Sequence, residues 1–396
     1  MKILLLAPHP FYQNRGTPIA VDLLVRTLCD AGHSVDILAF NEGQARHYPN
    51  LRIFRVGQFL GLKNITPGFS FKKLLLDALM IPHVGVRLAR KRYDIIHAVE
   101  ESAFIAWFYS VLTRKPFIYD MDSSLATQLS DKHPSLKRFV PLLRWLESIP
   151  IKRALFVVPV CDALEVLASQ LRPSGVYLLK DISMLDTAPV EQMGTEIQEQ
   201  LIAFDSLFDS PRRNVLYVGN LESYQGIDLM LESFAKAVSV LDDLALIIVG
   251  GSEEDIVKYR TLADSLGITA QVRFLGPRPI ALLKAFCDQA QLLLSPRIQG
   301  ENTPMKLYSY LGSGVPVLAT NLPTHTEVVD EQLAYLAATE SQAFSAAIVD
   351  IFNDFETARH KADNAMRFID SHHSLEVFQQ RVLMLYTEVS EHLEHQ

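Results

Sequence analysis

Apolar runs of strand length alternate with stretches of helical period along this chain, and they form two series. In the first half the runs are ILLLAP (3–8), VDILAF (35–40), LRIFRV (51–56), DIIHAV (94–99), PFIYDMD (116–122), LFVVPV (155–160) and VYLLK (176–180). In the second half they are NVLYVGN (214–220), ALIIVGG (245–251), VRFLG (272–276), LLLSP (292–296), PVLATN (316–321) and LAYLAA (333–338). Short strands with little polar alternation, separated by helices, predict parallel sheets covered on both faces. Two such series in 396 residues predict an α/β chain of two doubly wound domains. The divide falls between Lys180 and Asn214, in an acidic, polar stretch that holds Pro189, Gly194 and the turn-like DSPRRN. Within it, EIQEQLIAFDSLF reads as a helix. The predicted bodies are 1–185 and 186–374, followed by a long terminal helix over 375–396.

Composition narrows the function classes. With 49% apolar and 21% charged residues, large cores form and general disorder is excluded. A net charge of −8 argues against a protein that coats nucleic acid. Cys29, Cys161 and Cys287 form no CxxC pair, so neither a disulfide framework nor a zinc site is predicted, and a reducing, cytoplasmic setting fits. The opening MKILLLAPHP reads as a first strand, not as a signal peptide, and no window has the length of an uncharged membrane span.

Ligands of open parallel sheets bind beyond the carboxyl ends of the strands, so the loops there carry the candidates. The segment from Leu294 to Asn321 reads strand, glycine-bearing loop, helix, glycine-proline turn, strand. Asn302 or Thr303 is the expected cap of a helix with Pro304 in its first position, and Gly312 and Gly314 close it. A helix opening there aims free N–H groups at an anion, a phosphate being the natural guest; an ordinary β-loop-α-β unit has the same outline. After the first strand, Arg15 and Gly16 precede Thr17 as expected cap and Pro18 as first helical residue. Gly219 with Asn220, and Gly250 with Gly251, end two later strands. Two groups of carboxylates stand at other strand ends: Glu100 with Glu101 after HAV, and Asp120 with Asp122 in YDMDSS. Paired acids there suit sugar hydroxyls, an acceptor proton or a cation; a charged helix start, or helix capping by Asp122 or Ser123, accounts for them equally. Basic, aromatic stretches occur only in the first half. One runs from Lys63 to Arg92, with Lys72, Lys73, Arg87, Arg90 and Lys91, and the other spans 132–153, with Phe139 and Trp145. They suit either an anionic membrane surface or solvent.

The pattern Pro304, Lys306, Tyr308, Gly314, Pro316 and VLAT resembles the donor-site helix of family 4 retaining glycosyltransferases. The resemblance implies the GT-B fold: two facing doubly wound Rossmann-like domains with an interdomain cleft, and a C-terminal helix that returns to the first domain. It implies transfer of a sugar from a nucleotide-diphosphate donor, held by the second domain, to a hydroxyl acceptor on the first. That acceptor is unidentified, either a glycan or a lipid-linked sugar. No metal or other cofactor is implied for the chemistry, and no nucleic acid. Glu301 matches the family's glutamate near the transferred sugar, and Ser309 stands where a second glutamate usually binds the ribose. Asn220 and Gln225 stand where an arginine and a lysine usually neutralise the diphosphate. Val99 replaces a second histidine after His97, and Arg15-Gly16 replaces a glycine pair. Arg15, Arg278, Arg297 and Lys306 are the cations available in exchange. The expected donor set is therefore Arg15, Gly16, Thr17, Gly219, Asn220, Gln225, Gly250, Gly251, Asn302, Thr303, Lys306 and Ser309, with Glu301, Asp120 and Glu101 nearest the chemistry. Because so many positions depart from the pattern, a non-catalytic partner or regulator of another transferase is the competing expectation. A sugar-nucleotide epimerase shares the fold. The expected location is cytoplasmic, with contact to the inner face of the membrane.

Overall fold

A computed structural model describes the chain apart from residues 14–15, 59–60, 63–64, 66–69, 133–137, 172–174, 186–211, 301 and 396. It divides into two compact units, one of Met1–Lys180 with Phe378–Gln396 and one of Asp181–Val377. The helix read in EIQEQLIAFDSLF lies outside the described residues.

The first unit is built on strands β1 (Lys2–Pro10), β2 (Ser34–Phe40), β3 (Leu51–Val56), β4 (Ile95–Val99), β5 (Phe117–Met121) and β6 (Phe156–Pro159). They lie in the order β3-β2-β1-β4-β5-β6, and every pair is parallel. The second unit holds β7 (Arg213–Val218), β8 (Leu244–Val249), β9 (Val272–Gly276), β10 (Leu292–Ser295), β11 (Val317–Thr320) and β12 (Tyr335–Ala337). Their order, β12-β11-β10-β7-β8-β9, is again parallel throughout and repeats the first topology. The apolar runs explain why. Leu4 and Leu6 of β1 join one side of the first core while Ile3 and Leu5 are equally buried on the other, so both faces must be covered. Each fully buried side chain of this kind contributes roughly 1.5–3 kcal/mol relative to exposure. The terminal helix Leu375–Glu394 adds Val382, Leu385, Tyr386 and Val389 to the buried set.

In each sheet the winding reverses between two neighbouring strands, β1 and β4 in the first, β7 and β10 in the second. A crevice opens at such a switch, beyond the carboxyl ends. Among the loops singled out in the sequence, those that hold Gly16, Glu100, Asn220 and Asn302 follow these four strands.

Several local expectations need correction. VYLLK (176–180) forms a single parallel bridge, Val176 to Val157, followed by hydrogen bonds from Tyr177 and Leu179 to β6, and not a full strand. LAYLAA shortens to Tyr335–Ala337. The helix after β10 runs Met305–Gly312 with Pro304 in the cap position, so neither Asn302 nor Thr303 caps it. Proline fixes φ there, and no side chain supplies the cap. The first helix begins at Gly16, which places Thr17 and Pro18 inside it. Asp122 lies past the end of β5, and the hydroxyl of Ser124 accepts from the Thr127 N–H.

Candidate active site

The loops after β7 and β10 meet in the second unit. The turn Ser223–Gln225 ends at Gly226, and the Ile298 N–H donates to the Tyr224 carbonyl at 2.9 Å. That bond ties the two switch-point loops together. Arg297 follows β10 and is 6% exposed. Its Nη1 donates to the Asn302 carbonyl at 2.5 Å, its guanidinium lies 5.2 Å from the Tyr224 ring, and its Nε has no partner. Lys306, in the first turn of the helix after the loop, donates to Gln225 Oε1 at 3.2 Å and sits 3.9 Å over the Tyr217 ring. Burial, and then the charge of Arg297, holds its ammonium well below the usual lysine range. Burial lowers Arg297 as well. Thr303 is 5% exposed, and its hydroxyl has no partner.

Of the other expected donor residues, Gly219 and Gln225 lie beside Lys306. Gly219 follows β7, and its absent side chain leaves open a position 3.2 Å from Lys306 Nζ. Gly250 and Gly251 follow β8, and the Gly250 N–H donates to the Gly276 carbonyl. Asn220 is exposed and reaches the Tyr224 hydroxyl at 3.4 Å. Gln225 is buried. Ser309 is fully buried, and its Oγ accepts the Met184 N–H at 2.9 Å, so it faces the protein interior. His325 is buried between Ser295 and Thr320, and burial pushes it down to about 4. Arg278 is exposed. Glu301 and Arg15 lie outside the described residues.

In the first unit the carboxylates form a separate cluster. Lys73 reaches Glu101 at 2.5 Å and Glu100 at 3.9 Å. Glu100 adopts φ 49°, a left-handed conformation uncommon for its type. Burial, then the charge of Glu101, pushes Glu100 up to about 7 and Asp77 up to about 8. Asp120 approaches His97 Nε2 at 3.3 Å, and His97 Nδ1 lies 2.8 Å from the Tyr386 hydroxyl of the terminal helix. Glu101 stands in the cap position of helix Ser102–Thr113 without a side-chain cap bond, so the pair lies at a helix start and joins this ion-pair network as well. Gly16 opens its helix with nothing within 4 Å of a side chain placed there, and Thr17 is half-buried.

The sequence reading missed Asp77, and it put Lys73 on an outer basic face. Lys73 instead turns inward to the carboxylates, Arg87 stacks 3.5 Å from the Phe54 ring, and Lys91 pairs with Asp36 at 3.2 Å. The helical spacing of Lys73, Asp77 and Met80 along one face held the only available signal.

The cluster sets a pH dependence. A carboxyl raised on folding binds its proton more tightly folded than unfolded. Its stabilising contribution is complete at acid pH and lost as pH rises towards 7–8. Asp77→Asn should therefore raise the melting temperature by a few degrees at pH 8, for roughly 2 kcal/mol relieved. The gain should shrink towards pH 5. A gain that is equal at both values would remove Asp77 ionisation as its cause.

Comparison with known proteins places this geometry. The model of glycosyl transferases group 1 matches residues 198–368, and that of glycosyltransferase family 4 matches residues 15–170. A phosphatidyl-myo-inositol mannosyltransferase of Mycobacterium leprae is 27% identical over 51% of this chain, and the match spans 58% of that protein. A sucrose-phosphate synthase structure from Thermosynechococcus elongatus superposes with TM-score 0.80 at 19% identity, over 98% of this chain and 99% of the other. The Anabaena protein HepE in complex with UDP-glucose gives TM-score 0.71 at 19% identity, over 98% and 100%. With matched family models on both units and a fold shared over nearly its whole length, the chain belongs to the family 4 glycosyltransferases, enzymes of the GT-B fold.

Proposed function

We propose that this enzyme is a retaining glycosyltransferase that takes a sugar from a nucleoside-diphosphate donor and delivers it to a hydroxyl of a lipid-linked acceptor. The observation that carries the donor half is the meeting of Arg297 and Lys306 at the switch of the second sheet, beside a hydroxyl without a partner. A departing diphosphate needs fixed cations and dipoles, and these supply them. UDP-glucose in HepE supports a nucleotide-sugar donor. The second unit holds the donor in this reading, with Glu301 near the transferred sugar and protein cations, not a metal, meeting the diphosphate. Glu101 and Asp120, at strand ends of the first unit, address acceptor hydroxyls.

The acceptor half rests on the first unit's surface and on the lipid named in the mycobacterial relative. Among the described residues no helix is long and apolar enough to cross a membrane. Three helices of the first unit nevertheless expose large apolar side chains. Helix Phe71–Arg90 exposes Phe71 and Leu74, helix Ser102–Thr113 exposes Phe108, Val111 and Leu112, and helix Val140–Arg153 exposes Leu142 and Trp145. Exposed Arg90, Arg114, Arg144 and Arg153 lie on the same helices or at their ends. Apolar side chains rimmed by arginine suit the headgroup layer of an anionic bilayer.

The test is a panel of nucleotide sugars, read by thermal shift and by nucleotide release, with and without anionic vesicles. Stabilisation by one donor, nucleotide release with lipid acceptors and salt-sensitive sedimentation with the vesicles are the expected results. Equal sedimentation with neutral vesicles would sink the membrane half, and no stabilisation by any nucleotide sugar would sink the donor half.

A further inference from the structure

Three polar groups of the first unit line up from the surface inward. Asp120 stands at the end of β5 with its backbone fixed, since its carbonyl accepts the Glu100 N–H at 2.9 Å just beyond the last paired residues of β4 and β5. Its side chain keeps 17% exposure and approaches His97 Nε2 at 3.3 Å. His97, on the neighbouring strand β4, is buried, and its Nδ1 lies 2.8 Å from the Tyr386 hydroxyl. Tyr386 is buried in the terminal helix, with its ring centre 6.2 Å from that of His97 and 5.8 Å from that of His33.

The hydrogens on these groups follow from what each can give and take. An ionised carboxylate only accepts, so His97 Nε2 carries the hydrogen that meets Asp120. The Tyr386 hydroxyl keeps its proton, because burial, and then the charge of Asp120, holds it well above the usual phenol range. Among the described residues its hydrogen-bond partner is His97, and a buried O–H left without an acceptor is disfavoured. The hydroxyl therefore donates to Nδ1, and the ring is fixed with its hydrogen on Nε2. A carboxylate turns about a broad, two-fold torsion, and one donor aimed at one of its oxygens selects among the orientations. That donor is itself held from behind by a residue of the terminal helix. A reacting group oriented by a second group, and that by a third, is a general arrangement in enzymes.

We propose that Tyr386 is a positioning residue of this glycosyltransferase: through His97 it holds the Asp120 carboxylate in the orientation that accepts the O–H of the acceptor. The proposal rests on the acceptor reading above, in which Asp120 addresses that hydroxyl. It gives the terminal helix a part in the reaction, although Tyr386 itself is buried and touches no substrate.

The experiment compares the full chain as wild type, Tyr386→Phe, Asp120→Ala and the double variant. Turnover is read as nucleotide release from UDP-sugars and GDP-sugars with phosphatidylinositol vesicles as acceptor, and donor binding as calorimetric affinity for UDP and GDP. Tyr386→Phe should lower kcat/KM for the acceptor by about tenfold and leave nucleotide affinity unchanged. Asp120→Ala should lower it by about a hundredfold. Adding Tyr386→Phe to Asp120→Ala should change nothing more, because no carboxylate remains to be oriented; a merely structural loss at the terminal helix would multiply with it. Nitrogen NMR of the histidine-labelled chain needs no turnover. Wild-type His97 should carry hydrogen on Nε2 and not on Nδ1, and Tyr386→Phe should shift that signal. Thermal melts establish that each variant folds, and the wild-type spectrum decides alone if phenylalanine is not tolerated. Full turnover in Tyr386→Phe, losses that multiply, or a His97 protonated at Nδ1 overturns the proposal while the acceptor reading stands. Full turnover in Asp120→Ala, or no nucleotide release by the wild type, overturns both.

Discussion

Ser309→Glu should unfold or strongly destabilise the second unit, with a melting temperature lowered by roughly 10 °C, equivalent to about 3–5 kcal/mol at this size. The substitution places glutamate where the family usually carries one for the donor ribose. The fold gives the position a different task. Ser309 is fully buried in helix Met305–Gly312, and its Oγ receives the Met184 N–H at 2.9 Å. The same helix packs closely on that strip of chain, since a side chain at Gly312 would stand 3.2 Å from Ser183 Oγ. A carboxylate there would enter a space filled by a hydroxymethyl group. Ser309→Ala is the mild comparison: it strands one N–H and should cost about 1–3 kcal/mol. A Ser309→Glu protein that melts like the wild type and binds nucleotide more tightly would show instead that this face opens to the donor.

That contrast marks what the sequence made legible. The two sheets were readable because both faces of a parallel sheet are apolar, so each strand announces itself over four to seven residues; the short Tyr335–Ala337 and the bridge at Val176 show where the signal thins at an edge. The loops at the switch point of the second sheet were readable too, because glycine, proline and polar residues crowd after β7 and β10. The inward or outward sense of a single side chain was not. Lys306 and Arg297 could be named as cations near a site, yet nothing in one sequence says that Lys306 lies against Gln225 and not in solvent. Lys73 failed in the opposite direction. Its neighbours Lys72, Leu74 and Leu75 suggest a surface helix, while its partners Glu100 and Glu101 stand nearly thirty residues away in sequence. Contacts between distant segments decide such cases, and helical period does not report them.

Gly226→Ala should be at least as damaging as Ser309→Glu, and it tests whether the switch-point geometry itself holds the site. Gly226 has φ 72°, where an alanine costs about 1–2 kcal/mol even in open space. Gly267 supplies that open-space control, with φ 71° and nothing within 4 Å of the added carbon. At Gly226 the added carbon would lie 1.9 Å from the Pro296 carbonyl oxygen, a backbone atom that cannot rotate away. The loop after β7 or the loop after β10 must then move by an ångström or more, and about 3–5 kcal/mol is the expected cost. The movement would act on function directly. Gly226 follows Gln225 and Tyr224, and Pro296 precedes Arg297, so the clash separates the amide that Lys306 touches and the ring that Arg297 faces from the cations themselves. Gly267→Ala should lower the urea midpoint slightly and leave nucleotide affinity unchanged. Gly226→Ala should lower the midpoint far more and, in the fraction that folds, weaken diphosphate binding more than nucleoside binding. Equal midpoints for the two alanines would mean that the loops after β7 and β10 separate freely, and the tie between them would lose its role in holding the site.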